Sequence, residues 1–573
     1  MKSLLREGRE WEVVPLSDGP LVQEIESALG CSPAFAQVLA RRGGREWPRL
    51  IDPGVDRFHS PFLLSGMDDG VQRLLHAVER GERVFLHGDF DVDGLSGAAV
   101  LYLGLTPLFT KGTIKVDVGD RARGHGLSRE FVTRAIEEGF SLVVTADCGV
   151  SNLEEVALLR EAGIDTLLTD HHVPPPDLPA AIAVIDPMQP GETYPNPYLS
   201  GVGVAYKLIC GLYERLRRPL PHALLDLVAL GTVADLVPLA DAGEVENRAM
   251  VREAFSLIAR GEGSSLGLRV LLQKLHLNEK RLTASDIGFY IAPKLNAANR
   301  TGDPKVAFLL LTTGLPERAE YLTEVLLDYN RDREVAQDDL IAQAEERMAD
   351  EGADPRRDGI VILSGKYWNE GILGLAASHL AERYHVPAVI ISEGDRTSRA
   401  SCRSVGGFDM AACLEAHAPL LLQYGGHRMA AGFSVANDLL PELRVRLLAY
   451  VRERSCTRAA AVATIDARVA PDEVNLRFYT NICSLAPYGP GNPAPRFLLP
   501  DCAFAGLSLV GGRRQHLRGK VVQNGTALPF IAFRMGGHIA VFEEARGASL
   551  VFRAGFDDWQ GTVQLEVVDL VAG

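Results

Sequence analysis

The sequence predicts an α/β protein in three parts. A parallel-sheet lobe comes first, a second α/β lobe follows through a long helix, and a small β-barrel ends the chain. Three observations support this reading. Short β-rich runs alternate with helical segments from about residue 80 onward, the pattern of a parallel sheet with helices on both faces. A charged stretch with helical spacing, 316–350, separates that pattern from a second one. From about 457 the chain turns to short strands divided by glycine or polar turns.

Taken in order, residues 1–50 form a helical segment, because "PLVQEIESALG" and "SPAFAQVLARRG" have helical spacing and end in glycine. Residues 51–315 form the first lobe. Its strands are "RVFLHGD", "SLVVTADCG", "DTLLTDHH" and "AIAVIDP", with helices such as "SREFVTRAIEEG" and "NLEEVALLREAG" between them. Residues 316–350 carry apolar residues on one helical face and charges elsewhere, as a connecting helix would. Residues 351–455 form the second lobe, beginning at "GIVILSG" and continuing through "VPAVIIS". Residues 456–573 hold "ATIDARV", "LSLVGG", "LRGKVVQ", "LPFIAFRM", "ASLVFRAGF" and "TVQLEVVDL". So many short strands in so short a segment suggest an OB-fold barrel.

The whole-chain quantities set limits. A length of 573 residues allows several domains, and 47% hydrophobic with 23% charged residues is ordinary for folded protein. The N-terminus, "MKSLLREGREWE", lacks the apolar stretch of a signal peptide. The longest apolar run, "GAAVLYLGLTPLFT", falls short of the roughly 20 residues that a membrane span needs. The expectation is a cytoplasmic protein with no membrane partner. Cys31, Cys148, Cys210, Cys402, Cys413, Cys456, Cys483 and Cys502 include no C-x-x-C pair, which argues against structural zinc. They read as reduced thiols buried like small apolar residues. The net charge of −15, from 59 basic and 74 acidic residues, excludes a protein basic all over its surface. It leaves room for a local basic channel.

The chemistry gathers around "HGDFDVDG", His87 to Gly94, with one histidine and three aspartates. In a parallel sheet the C-terminal strand ends share one edge, and ligands bind outside that edge. "VFLH" ends in His87 and delivers Asp89, Asp91 and Asp93; "LVVTAD" ends in Asp147; "TLLTDHH" ends in Asp170, His171 and His172. A fourth apolar stretch, "LVALGTVADLVPL", carries Asp235, which should be buried. A lone D-x-D is usually a turn, but three ligand-bearing strand ends in one sheet are not. Converging buried carboxylates are costly unless a cation neutralises them. Mixed Asp/His donors suit Mn²⁺ foremost, with Mg²⁺ as the alternative. Five or six donors fit two ions about 3.5–4 Å apart, an arrangement that activates water and stabilises phosphoryl transfer.

"HGDFDVDG", "TADCG", "TDHHVP" and "LGTVADLVPL" resemble, in order, the four motifs of the DHH phosphoesterase superfamily. The chain is most similar to its RecJ-type branch, 5′→3′ exonucleases specific for single strands, from about residue 50 to 570. The resemblance implies metal-ligand roles for His87, Asp91, Asp93, Asp147, His171 and Asp235, with Asp147 bridging. Asp89 would orient His87. His172 would face the scissile phosphate and act with Asp147 in catalysis, by stabilising charge or assisting the leaving group. Asp170 would be a structural acceptor, and Cys148 a packing residue.

Other segments extend the likeness. "PKLNAANRTGDP" resembles the family's "LNAAGR" segment, with Asn299 where glycine is usual, and implies that Asn296 and Arg300 bind substrate, Arg300 at a phosphate. "GGHRMAAG" resembles the signature of the DHHA1-like lobe that accompanies DHH domains. By that resemblance Ser401 and Arg403 hold the terminal 5′ phosphate, and Gly425, Gly426 and His427 lie beside them. Glycine-rich turns admit backbone N–H groups to phosphate, and arginine adds a charged fork. "WNEGILGLAASHL" matches too, except that Asn369 stands where histidine is common.

"APYGPGNPAPRF" resembles the linker into the family's OB-fold. Beyond it "GGRRQHLRGK" sets Arg513, Arg514, Arg518 and Lys520 close together with no acid, as a groove tracking a single strand would require. The implied activity is two-metal hydrolysis of single-stranded DNA from its 5′ end to 5′ mononucleotides, in DNA repair and recombination. The resemblance also implies a monomer that works with single-strand-binding protein and a helicase. One rival is a pyrophosphatase or short-oligonucleotide phosphodiesterase, to which an OB-fold would be surplus. The other is a non-catalytic scaffold, in which ligands would be lost; here all are present.

Overall fold

The computed structural model describes residues 1–6, 9–15, 19–121, 124–241, 243–405, 407–454, 462–523, 525–557 and 559–572. Cys456 and the boundary expected at 455/456 lie outside the described residues. The chain forms two compact units. One comprises Met1–Ala292, Phe308–Glu320 and Val462–Gly573; the other comprises Pro293–Ala307 and Tyr321–Ala461.

After β1 (Glu10–Val13), the first unit holds β2 (Val84–Gly88), β3 (Ile114–Val118), β4 (Leu142–Ala146), β5 (Asp165–Thr169) and β6 (Ala183–Ile185). They form one sheet in the order β3-β2-β4-β5-β6, with every pair parallel. Strands β2 and β4 are buried at every position, as parallel strands covered on both faces must be. Phe85, Val143 and Leu168 pack with Phe131, Val132, Val156 and Leu159 of the helices Arg129–Glu137 and Leu153–Glu161. Helices Val92–Leu105, Gly201–Arg215 and Leu225–Ala234 pack on one another, the first two also against strands of the sheet.

The second unit contains β7 (Val361–Lys366), β8 (Ala388–Glu393), β9 (Thr397–Arg403), β10 (Gln423–Gly426) and β11 (Ala430–Ala436), in the order β10-β11-β9-β8-β7. Only β7 and β8 pair in parallel, so this sheet is mixed. Strand alternation splits its core between two faces. Val361 and Leu363 pack with Ile372, Leu373 and Ala376 of the helix Glu370–Tyr384, and with Leu340 and Ala344 of the long helix Pro316–Asp350. Ile360 and Ile362 face Met410, Leu443 and Leu447.

The barrel returns to the first unit. It follows β12 (Val462–Ile465) and β13 (Ala467–Arg468), and uses β14 (Phe497–Val510), β15 (His516–Gln523), β16 (Thr526–Ala532), β17 (Ala548–Asp557) and β18 (Thr562–Val571). Strand β14 pairs with both β15 and β17, so β14-β15-β16-β18-β17 closes on itself as an OB-like barrel. The N-terminal segment joins it. β1 pairs in parallel with β12. Ile25, Phe35, Val38 and Leu39, from helices Gly19–Leu29 and Pro33–Gly43, share one core with Phe478, Phe497, Phe530 and Phe552. Trp11 Nε1 donates to Asp569 Oδ2 at 2.7 Å. The fully buried Arg248 donates to the Ser484 carbonyl at 2.9 Å, tying the helix Glu246–Arg260 to the end of the helix Leu476–Ser484.

Among the described residues no helix is long and apolar enough to cross a membrane. Two cysteines depart from the buried expectation: Cys483 is exposed and Cys31 half-buried.

Candidate metal centre and substrate-binding elements

The C-terminal edge of the parallel sheet carries the centre. Asp89, Asp91 and Asp93 leave β2 in the turn that starts the helix Val92–Leu105. Asp91 is its N-cap, and Oδ1 accepts the N–H groups of Asp93 at 2.9 Å and Gly94 at 3.1 Å. Asp93 sits against the N-terminus of the helix Gly201–Arg215, whose dipole favours a carboxylate. Its Oδ2 accepts from Gly201 N at 2.7 Å and its Oδ1 from Val202 N at 2.9 Å. A Cβ on Gly231 would lie 2.4 Å from Asp93 Oδ1, and a Cβ on Gly201 2.4 Å from Asp147 Cβ; these two glycines make room for the carboxylates. Asp147, just past β4, has φ +62°, a left-handed conformation costly for a non-glycine residue and concentrated at functional sites.

The donors converge. His171 Nε2 lies 3.1 Å from Asp147 Oδ1, 3.6 Å from Asp235 Oδ2 and 3.7 Å from Asp93 Oδ2. Asp89, Asp91 and Asp147 bring oxygens within 4.8 Å of one another, as do donor atoms of Asp93, His171 and Asp235, and of Asp147, His171 and His172. Asp147 and His171 each belong to two of these groups. Buried Asp147 Oδ1 and Asp89 Oδ1 have no hydrogen-bond partner among the described residues.

The electrostatics point the same way. Burial, then the neighbouring carboxylates, push Asp93 and Asp147 well above the usual carboxylate range and raise Asp91. Burial, then Asp91, lift Asp235 to about 7. Burial and the adjacent His172 hold His171 down to about 4, leaving a neutral imidazole. Crowded carboxylates, orphaned buried oxygens and a neutral histidine are a donor set that divalent cations would satisfy.

One expectation needs correction here. Asp235 is only partly buried: it caps the helix Leu225–Ala234, and its side chain remains about one-third exposed. His87 is not brought into any of the three groups. It lies two residues after Phe85 in β2, so its ring shares the helix-covered face and packs 4.7 Å from the Phe131 ring. Its Nδ1 is 3.8 Å from Asp117 Oδ2, too far for a hydrogen bond.

Asp170 is an acceptor throughout. Its Oδ1 accepts from His171 N at 2.8 Å and His172 N at 3.2 Å and faces His172 Nδ1 at 2.7 Å; Oδ2 accepts from Val150 N at 2.9 Å. Burial alone would lower the His172 pKa, but the Asp170 contact outweighs it and lifts His172 to about 9.

The sequence reading missed two neighbours, both from the loop after β3. His125 Nδ1 is 3.0 Å from Asp89 Oδ2, and its ring stands edge-on to His172 at 4.7 Å. Arg121 lies over the Phe90 ring at 4.5 Å, where the charges of Asp91 and Asp89 act on it. The available signal was their place: they follow a strand of the same sheet and so reach the same edge.

In the second unit, Ser401 pairs across β11 with Gly432, which pairs in turn with Gly425 of β10. Arg403 Nη1 donates to Ser401 Oγ at 3.2 Å. Gly374 lets the helix Glu370–Tyr384 come close, since a Cβ there would be 2.8 Å from Arg403 Nη2 and 3.0 Å from Ser401 Oγ. Gly426, at φ +129°, leads into a hairpin closed between His427 and Ala430. Arg300 Nη1 donates to the Gly371 carbonyl at 2.6 Å, and Asn299 Nδ2 to Asn296 Oδ1 at 3.3 Å. Asn369 is the N-cap of the helix Glu370–Tyr384, a structural role. On the barrel, Arg513 and Arg514 are exposed in the β14–β15 turn. Arg518 and Lys520 alternate with the buried Leu517, Gly519 and Val521 and so share the outer face of β15, where Arg518 also meets Asp557 at 3.4 Å.

Family models match three segments of the chain: the DHH family N-terminal domain at 83–232, the DHHA1 domain at 357–453 and the RecJ OB domain at 465–569. The chain is 32% identical over 563 residues to the single-stranded-DNA-specific exonuclease RecJ of Escherichia coli, covering 94% of this chain and 95% of that one. It is 30% identical over 541 residues to the protein of the same name from Bacillus subtilis, covering 93% and 67%. The crystal structure of Thermus thermophilus RecJ in complex with Mn²⁺ superposes with a TM-score of 0.83 at 28% identity, covering 99% of this chain and 80% of that one. With DHH, DHHA1 and OB domains in this order, the chain belongs to the RecJ family.

Proposed function

We propose that the chain is a metal-dependent exonuclease that degrades single-stranded DNA from the 5′ end to 5′ mononucleotides, in DNA repair and recombination. The convergence of Asp93, Asp147 and Asp235 on His171 Nε2, with Asp147 also beside Asp89 and Asp91, carries the reading. His87, Asp91, Asp93, Asp147, His171 and Asp235 would hold two divalent ions, with Asp147 shared. Bound there, Mn²⁺ or Mg²⁺ would neutralise the carboxylates, activate water and polarise the phosphoryl group.

The chain's own residues do the rest. Asp170 fixes the His172 ring through Nδ1 and keeps it protonated at neutral pH, so His172 can stabilise charge on the scissile phosphate or give a proton to the leaving oxygen. Ser401, Arg403, Gly425, Gly426 and His427 bind the terminal 5′ phosphate. Asn296 and Arg300 bind substrate, Arg300 at a phosphate. Arg513, Arg514, Arg518 and Lys520 track the backbone of the strand. The same reading takes the protein as a cytoplasmic monomer that works with single-strand-binding protein and a helicase.

Comparing rates on long single strands, dinucleotides and pyrophosphate tests the substrate class. Long strands should be degraded fastest. Preference for pyrophosphate or dinucleotides would contradict the reading.

A further inference from the structure

We propose that Arg42, Arg248 and Arg252 form a binding site for a small monovalent anion, chloride foremost, where the N-terminal helices, the first lobe and the lead-in to the barrel meet.

The three side chains converge on one stretch of backbone. Arg248 Nη2 donates to the Ser484 carbonyl at 2.9 Å, and Arg248 Nη2 and Arg252 Nη1 each reach the Ala486 carbonyl at 3.4 Å. Arg42 Nη1 donates to Asn492 Oδ1 at 3.0 Å. Asn492 Nδ2 donates in turn to the carbonyls of Leu485 at 2.8 Å and Pro487 at 2.9 Å. Arg42 stands in the last turn of the helix Pro33–Gly43. Arg248 and Arg252 lie one turn apart on the helix Glu246–Arg260 and so share a face.

Positive charge exceeds negative charge here. Arg252 lies 2.6 Å from Asp52. Arg42 lies 3.7 Å from Asp466, which also pairs with Arg41. Arg248 is fully buried and pairs with no carboxylate among the described residues. Its Nε and Nη1, and Arg42 Nη2, are buried without a hydrogen-bond partner. A guanidinium has five N–H donors and no acceptor, so another arginine cannot satisfy it. Buried charges are ordinarily paired, and this one is crowded by like charges instead. Burial pushes Arg42 and Arg248 down to about 10, and neighbouring arginines add to the effect. An anion beside Arg248 supplies both the missing charge and the missing acceptor.

The enclosure selects a small ligand. Arg248 is wholly covered and Arg42 nearly so, whereas the side chain of Arg252 is about one-third exposed and faces the solvent side. A halide accepts N–H groups from any direction and needs less room than a tetrahedral oxyanion. Bound there, it fastens the N-terminal helix and the barrel's lead-in to the helix Glu246–Arg260.

The test follows the Tm of the full-length protein as chloride replaces gluconate at constant ionic strength. The Tm should rise by about 2 °C or more and then level off, as ligand linkage requires. Bromide should act as chloride does. Arg42→Gln and Arg248→Met should each lose the saturable rise; if Arg248→Met does not fold, Arg42→Gln carries the test. Crystals soaked in bromide should show an anomalous peak beside Arg248 Nε or Nη1. A Tm that ignores chloride, a saturable rise that persists in Arg42→Gln, or ordered water in place of bromide would overturn the proposal.

Discussion

His172 Nδ1 lies 2.7 Å from Asp170 Oδ1, and the same carboxylate accepts the backbone N–H groups of His171, His172 and Val150. One buried acid therefore sets both the backbone of the His-His segment and the orientation and charge of the second ring. Asp170→Asn removes the charge and keeps the shape. The His172 pKa should fall from about 9 toward the ordinary 6.5, followed by NMR titration of the metal-free protein. Turnover should drop roughly 10- to 100-fold. An unmoved His172 titration would show that Asp170 does not hold its proton.

The converging donors predict loss of function on single deletions. Asp91→Ala, Asp147→Ala and His171→Ala should each abolish hydrolysis while circular dichroism shows an intact fold. Removing one donor undoes nucleophile generation and charge neutralisation together. A folded Asp147→Ala protein with wild-type turnover would contradict the metal assignment.

The crowded carboxylates fix a pH dependence. Asp235 is lifted to about 7, and Asp91, Asp93 and Asp147 are raised above 3.8, in the metal-free protein. A folded-state pKa above the unfolded one means that the folded state binds more protons in that interval. These groups therefore make the metal-free protein less stable as pH rises from about 4 through about 7. Metal must displace those protons, so it binds more tightly at higher pH. The rise in Tm on adding Mn²⁺ should be small near about pH 5 and larger near about pH 8. Calorimetry in buffers of different ionisation enthalpy should record proton release on binding. Equal Tm gains at both pH values would contradict the shifts.

Arg403 lies beside Ser401 under a helix kept close by Gly374. Arg403→Ala should lower the preference for a 5′-phosphorylated end over a 5′-hydroxyl end by roughly tenfold or more, because charge-assisted contacts to phosphate are the strong ones. Competition between the two strands measures it. An unchanged preference would place the terminal phosphate elsewhere.

The sequence made the three aspartate- and histidine-bearing strand ends legible because a parallel sheet delivers all its C-termini to one edge. It did not reveal His125. That residue follows β3, whose residues Ile114–Val118 are only partly buried and include Lys115 and Asp117, so the strand itself is faint. Strand alternation puts His87 with Phe85, facing the helices, and both of its buried ring nitrogens lack a hydrogen-bond partner among the described residues. Asp235 sits between apolar residues and looks buried, yet its helix ends there and Leu236, at φ +60°, turns the chain outward. The union of the N-terminal helices with the barrel was invisible for another reason. The pairing of Glu10–Val13 with Val462–Ile465 spans most of the chain, and neither segment's own periodicity encodes its partner.

The most direct measurement follows nucleotide release from long single strands labelled at the 5′ or the 3′ end, with Mn²⁺ and with EDTA, for the wild type and Asp147→Ala. The wild type with Mn²⁺ should release the 5′ label at once as a mononucleotide and the 3′ label only after the strand is consumed. EDTA and Asp147→Ala should each release nothing. Early release of the 3′ label, or release in EDTA, would contradict a metal-dependent exonuclease that works from the 5′ end.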